Sequence, residues 1–310
     1  MDRPHQMTDF AAGAWAASLT PLNADLSVDQ AAYLDHVRWL LSAGAAGVAA
    51  LGTTGEANSL SVSERLHIIA ALARSGIARE RLVIGTGCCA APDTIELTRA
   101  VLDAGYANVL MLPPFYYKNV TEEGVFRAYA HVIESIGDAR LRVLIYDFPQ
   151  MTGVKISVAL LSRLASAFKG IVVGVKNSSG DWPAMDAAIK ELPGFLVFAG
   201  SEQFLLPTLR AGGPGCISAT ANVTSRALAA LVEAWRGPDA DARQSAVTQT
   251  RLMLQQYPAI PALKEIMAHA TTKPDWRRLR PPFVNLPDKD AARLLSQAQE
   301  AGLVEAVRGA

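Results

Sequence analysis

The chain has 310 residues, half of them hydrophobic and 19% charged, and its 29 basic and 29 acidic side chains cancel. Such a chain can bury one large α/β core or two small ones. Zero net charge without a basic stripe excludes a nucleic-acid partner, and no apolar run approaches the roughly 18 residues of a membrane span, so no membrane is expected. A small polar metabolite is the expected partner. Cys88, Cys89 and Cys216 are odd in number and lack metal-ligand spacing, which points to the cytoplasm and not to a disulfide framework.

Apolar, β-rich runs begin near Ala14, Gly47, Leu82, Asn108, Arg142, Ile171, Phe195 and Gly215. The first, Ala11–Leu19, resembles a leader core but runs into Thr20-Pro21-Leu22 without a small-residue cleavage pattern, so it reads as a strand. The runs recur every ~29 residues, the length of one βα crossover unit. Helical periodicity fills the gaps, as in Tyr33, Leu34, Val37 and Leu41, and Ser61-Val62-Ser63-Glu64 forms a capping box. Ala104-Gly105 and Ala211-Gly212-Gly213 read as helix stops. Eight units predict a closed (β/α)8 TIM barrel over residues 1–236, with an open doubly wound sheet as the alternative. Strand signals then cease, and residues 237–310 read as a C-terminal helical appendix packed on the barrel.

In a barrel the chemistry sits where strands end. The second run is followed by Gly52-Thr53-Thr54-Gly55-Glu56, whose amides and hydroxyls can cradle an anion, although a plain glycine-rich turn reads equally well. The fourth leads into Leu112-Pro113-Pro114-Phe115-Tyr116-Tyr117, a rigid aromatic loop suited to a site or to a subunit contact. Arg142-Val143-Leu144-Ile145-Tyr146 ends in a phenol, and Ile171-Val172-Val173-Gly174-Val175-Lys176 ends in an amine. Alternation puts Tyr146 with Leu144 and Arg142, and Lys176 with Gly174 and Val172, so that the two meet if both faces point inward and Gly174 leaves space below the lysine.

Burial disfavours a lysine's charged form, and the neutral amine is a nucleophile that forms Schiff bases; a snorkelling surface lysine is the bland alternative. The histidines His36, His67, His131 and His269 fall in predicted helices and His5 near the start, so no histidine metal site is expected. Asp147, Asp181 and Glu202 follow successive strands, but Asp147 should face away from Tyr146. No metal or serine-hydrolase set assembles at the strand ends.

Together, Gly52-Thr53-Thr54-Gly55-Glu56, Tyr146 with Pro149 and Gly153, Gly174-Val175-Lys176, and Gly215-Cys216-Ile217-Ser218-Ala219-Thr220-Ala221-Asn222 resemble the dihydrodipicolinate synthase/N-acetylneuraminate lyase family along nearly the whole chain. The resemblance implies that Lys176 attacks the keto carbon of pyruvate or another 2-keto acid, with Thr53 and Thr54 on the carboxylate beside Gly52 and Gly55. It implies Tyr146 as general acid/base, Thr54 relaying protons between Tyr146 and Tyr117 of a neighbouring subunit, and Ile217 lending its carbonyl. It implies no cofactor, and a homo-oligomer built as a tetramer, a dimer of dimers. Lysine-pathway synthases of the family carry a carboxylate-gripping arginine where this chain has Met151. Sialic acid lyases carry a serine where Thr53 stands and an acidic pair where this chain has Gly200-Ser201-Glu202-Gln203. The expected reaction is therefore aldol cleavage or formation on a 2-keto-3-deoxy sugar acid or hydroxylated 2-keto acid, with Gly200 and Glu202 toward its hydroxyls and a dehydratase possible on the same imine. The alternatives are dihydrodipicolinate synthase, a non-catalytic keto-acid binder, and a phosphate- or nucleotide-binding enzyme using Gly52–Glu56.

Overall fold

In the computed structural model, residues 10–308 are described, which leaves His5 outside. Eight parallel strands close on themselves in sequence order: β1 (Gly13–Ala17), β2 (Gly47–Ala50), β3 (Leu82–Gly85), β4 (Asn108–Met111), β5 (Arg142–Asp147), β6 (Val172–Asn177), β7 (Leu196–Ala199) and β8 (Gly215–Ser218). One main helix follows each strand: α1 (Gln30–Ser42), α2 (Val62–Ala73), α3 (Ala91–Asp103), α4 (Glu122–Ile136), α5 (Val158–Ala167), α6 (Trp182–Glu191), α7 (Leu205–Ala211) and α8 (Ala221–Glu233). A single helical turn, Pro149–Thr152, interrupts the connection after β5. Among the described residues no helix is long and apolar enough to cross a membrane.

The chain starts and stops its helices by local chemistry. Ser61 and Glu64 make the reciprocal capping box of α2, worth about 1 kcal/mol. Asp181 caps α6 by accepting from Ala184 N at 3.1 Å. Gly105 and Gly212 end α3 and α7 at φ +83° and +96°, backbone that disfavours any Cβ.

Alternation along the strands divides the core in two. Val48, Ile84, Val109, Ile145 and Val197 point outward against the helices. Trp15, Ala17, Ala49, Val83, Leu110, Leu144, Phe198 and Ile217 fill the barrel interior, with Phe198 edge-on to Trp15 at 6.2 Å. This is a packed centre, which leaves room for chemistry only at the strand ends.

Four helices complete the chain: α9 (Ala240–Leu254), α10 (Ala259–Thr271), α11 (Asp288–Glu300) and α12 (Leu303–Arg308). α10 is buried nearly all round, and with α11 and α12 it forms an apolar cluster that includes Leu19 and Val223 at the edge of the barrel. A helix apolar on every face needs cover on every face.

Candidate active site

The ends of β5 and β6 lie side by side, with Tyr146 opposite Lys176 and Leu144 opposite Gly174. Tyr146 is 3% and Lys176 5% exposed. Lys176 Nζ lies 4.3 Å from the centre of the Tyr146 ring, over its face. The phenol and amine thus meet as alternation predicts, but Val172 does not share their face. The β5–β6 register shifts at Val143/Leu144, making Val173 an extra residue on β6. This bulge puts Val172 in the outer core and Val173 in the inner one, so Val173, Gly174 and Lys176 serve the interior. Nor is there empty space beside Gly174. A Cβ there would come within 2.4 Å of Leu196 O and 2.7 Å of Leu144 Cδ2, so the missing side chain lets β6 pack against its neighbours.

Beyond β2, the chain turns through Gly52–Glu56 with Gly55 N donating to Gly52 O (3.1 Å) and Glu56 N to Thr53 O (3.1 Å). Gly55 packs against β1, where a Cβ would touch Ser18 O and Thr20 Oγ1, whereas nothing lies within 4 Å of one at Gly52. Gly52 and Thr53 line one small cleft with Asn58, Gly85, Gly87, Leu112 and Tyr146, and Thr54 is buried beside them. The open glycine, the threonine turn and the phenol therefore face one space, and Lys176 stands one strand over.

The remaining predicted residues divide. Ile217 is fully buried on β8. Gly200, just beyond β7, donates its N–H to Asn177 O (2.6 Å), and a Cβ there would strike Ser178. Glu202 is 1% exposed, its carboxylate accepting from Ser218 Oγ at 2.5 Å, from Thr220 Oγ1, and facing Arg251 of α9 at 3.5 Å. Both its oxygens are thus engaged, by Ser218 and Thr220 at the end of β8 and by Arg251 of α9. Tyr117 (75% exposed) and Met151 (63% exposed) lie on the surface. Tyr117 meets Tyr116 edge-on at 5.3 Å and stands apart from the buried Tyr146–Lys176 pair. Lys118 links their two loops, donating to Phe115 O and to Thr152 O (2.7 Å).

Two supports escaped sequence reasoning. Glu56, the last residue of the threonine turn, is buried with Lys264 of α10, Oε1 to Nζ at 2.5 Å, and its Oε2 accepts from Arg280 N (3.1 Å). The available signal was a lysine set in the apolar run Ile260–Met267. Asn222 Oδ1 accepts from Leu19 N (3.0 Å) and faces His36 Nε2 (2.7 Å), while Nδ2 donates to Ala17 O and Ala219 O, tying β1 to β8. Burial between Trp39 and Trp276 pulls the His36 pKa down to about 4, so its ring is neutral and donates to Asn222. Asp147 faces away from the barrel, as expected, accepting from Asn177 Nδ2 at 3.0 Å, and burial pushes its pKa up to about 6.

A closed parallel barrel with a buried lysine and tyrosine on adjacent strand ends, facing a glycine–threonine turn, defines the class of α/β barrels with the site at the strand C-termini. The sequence profile of the dihydrodipicolinate synthetase family matches residues 11–301, and the chain belongs to that family. It is 33% identical over 285 residues to a DapA-like lyase of Chloroflexus aurantiacus, covering 91% of this chain and 94% of that one. It is 30% identical to the 4-hydroxy-tetrahydrodipicolinate synthase of Chlorobium limicola, over 96% of this chain and 99% of that one. Among solved structures, dihydrodipicolinate synthase from Agrobacterium tumefaciens superposes with a TM-score of 0.84 at 34% identity, covering 93% of this chain and 99% of that one. YagE, a prophage protein of the same family from E. coli K12 solved in complex with pyruvate, superposes with a TM-score of 0.86 at 28% identity, covering 94% and 99%.

Proposed function

We propose that this chain is a Schiff-base lyase that makes or breaks a carbon–carbon bond to pyruvate. The observation that carries the reading is the buried register pair Tyr146–Lys176 beside the Gly52–Thr53 wall of one cleft. The pyruvate complex of the related E. coli protein and the lyase naming of the Chloroflexus relative support it. The Lys176 amine attacks the keto carbon, Tyr146 supplies and takes back the proton as water leaves, and Thr53 and Thr54 hold the carboxylate. As the C3–C4 bond breaks, Tyr146 takes the proton of the C4 hydroxyl, which leaves as the aldehyde; the imine accepts the electron pair, and the proton passes to C3 of the resulting enamine.

The second substrate is an aldehyde without a carboxylate to clamp, so the reaction is aldol chemistry on a 2-keto-3-deoxy sugar acid or hydroxylated 2-keto acid. Met151 favours this over condensation with aspartate semialdehyde, because a thioether cannot make the charge-assisted bonds an arginine offers. Tyr117 completes the proton relay from a neighbouring copy in a cytoplasmic homotetramer; its exposure beside Tyr116, Val120 and Met151 supports a surface awaiting a partner. Residues 1–236 carry the chemistry and residues 237–310 brace it.

Borohydride reduction with pyruvate, followed by mass spectrometry, tests the reading. A pyruvate-dependent adduct mapped to Lys176 and lost in Lys176→Ala is the expected result. A folded protein that traps none of a series of 2-keto acids overturns it. A sugar-acid panel releasing no pyruvate, alongside full activity on aspartate semialdehyde, overturns the substrate assignment alone.

A further inference from the structure

Arg65 on α2 is 3% exposed, yet no carboxylate among the described residues pairs with it. One of its amino groups donates to Gly85 O at 2.9 Å and the other to Cys88 Sγ at 3.0 Å, while its Nε is buried without a partner. A buried cation held by neutral groups is poorly compensated, and of its two partners only the thiol can become an anion. Next in the chain stands Cys89, whose side chain is exposed. The proposed chemistry uses neither sulfur.

We propose that Cys88–Cys89 is a reversible oxidation site, a neighbouring dithiol that peroxide closes to a disulfide and that alters the cleft wall as it closes. The exposed Cys89 gives its thiol proton to solvent and the thiolate attacks hydrogen peroxide, forming an S–O bond and breaking O–O; hydroxide leaves and takes a proton back from solvent to become water, and the sulfur is oxidised to sulfenic acid. Cys88, its proton lost to solvent, then attacks that sulfur, forming S–S and breaking S–O; the hydroxide that leaves recovers that proton from solvent as a second water. Burial pushes the Cys88 thiol up and Arg65 pulls it down, which suits Cys88 to the second step, when the turn opens.

Closure changes the backbone. Adjacent Cα atoms across a trans peptide lie about 3.8 Å apart, short of the usual ~4.4–6.8 Å disulfide range, so Gly87–Ala90 must rearrange. Cys88 Sγ then leaves Arg65, and Cys88 N leaves Thr94 Oγ1, its acceptor at 3.0 Å in the first turn of α3. Gly87 lines the cleft with Gly52, Thr53 and Tyr146, and is packed so closely that a Cβ would come 2.4 Å from Leu112 N. It cannot stay in place while its neighbour moves.

The full chain is treated with hydrogen peroxide, alkylated and digested with trypsin, and the peptide 82–99, which holds both sulfurs but not Cys216, is weighed. Expected is a peptide lighter by two hydrogens and carrying no alkyl label, which takes two labels again after thiol reduction. Cys89→Ser should remain fully alkylatable at Cys88, and Cys88→Ser should stall with Cys89 as sulfenic acid. A peptide that stays doubly alkylated, or a disulfide that joins two copies, overturns the site. The coupling to catalysis rests on the Schiff-base proposal and is read separately, as pyruvate adduct formation about tenfold slower in the oxidised protein and unchanged by peroxide in Cys89→Ser. Disulfide without slowing overturns the coupling; disulfide in a protein that never forms an adduct leaves the site standing and removes the lyase reading.

Discussion

Lys176 Nζ rests 4.3 Å from the centre of the Tyr146 ring, against the face of the phenol and not at its hydroxyl. The ring is thus a platform for the amine, and in the proposed reaction its hydroxyl also carries a proton. Tyr146→Phe keeps the platform and removes the proton. It should still form the Lys176–pyruvate adduct, but about 10²–10⁴-fold more slowly, the usual share of general acid/base catalysis. Tyr146→Ala should lose the positioning as well. Stopped-flow trapping with borohydride distinguishes the two; equal rates in both variants would leave the ring no positioning role.

The pair Glu56–Lys264 can be tested by stability. Removing one partner of a buried ion pair typically costs about 3–5 kcal/mol, because the other charge is left stranded. Lys264→Met should therefore unfold at markedly lower urea, and Glu56→Gln with Lys264→Met should recover much of the loss. Additive losses would mean that the two side chains do not act as a pair.

Acid should expose two opposing groups. His36 has its folded pKa lowered from 6.5 to about 4 by burial, so the unfolded chain takes up its proton first. Its stabilisation, about 3 kcal/mol, is present above pH 6.5 and is lost as pH falls toward 4. Asp147, raised from 3.8 to about 6, works the other way: the folded chain protonates first, so a penalty of about 3 kcal/mol above pH 6 fades as pH falls toward 4. Together they give a shallow acid dependence. Asp147→Asn should gain stability at pH 7 and then lose it more steeply between pH 6.5 and 4 than the parent, as read by urea midpoints across pH. A parallel shift of the whole curve would contradict this.

Two inactive variants can reveal whether Tyr117 acts across copies. Lys176→Ala and Tyr117→Phe chains, each impaired alone, should regain activity when dissociated and reassembled together, because the intact lysine of one then meets the intact tyrosine of the other. No recovery would confine Tyr117 to its own chain.

Met151→Arg tests the substrate reading by placing a guanidinium where the proposed function has no carboxylate to grip. It should lower KM for a carboxylate-bearing aldehyde about tenfold, the low end for a charge-assisted bond at an exposed position. An unchanged KM would show that position 151 does not read that group.

All eight strands begin within a residue of the sequence expectation, because each is a buried run bounded by glycine, proline or a polar turn, which only a strand satisfies at that length. Lys176 and Tyr146 were legible for the same reason, since alternation is a local property. What was not legible is non-local. The Val173 bulge exists only in relation to β5, and parity read along β6 alone put Val172 on the wrong face. Glu202 reads as a free acid at a strand end until Ser218 and Thr220 from the end of β8 and Arg251 from α9 fold around it. Glu56 and Lys264 are 208 residues apart, and nothing in the threonine turn announces a partner so distant.

Arg280 donates from the proline-rich stretch before α11 to Leu26 O, Ser59 O, Glu64 and, through its backbone, Glu56, fastening loops that follow β1 and β2. During synthesis those loops leave the ribosome more than two hundred residues ahead of the groups that secure them. A nascent chain halted after β8 would already hold Lys176 and Tyr146, yet its threonine turn would lack both Lys264 and Arg280. The last quarter of the message therefore decides when the barrel becomes competent, and a truncated product with every strand in place would be a barrel whose cradle is unfastened.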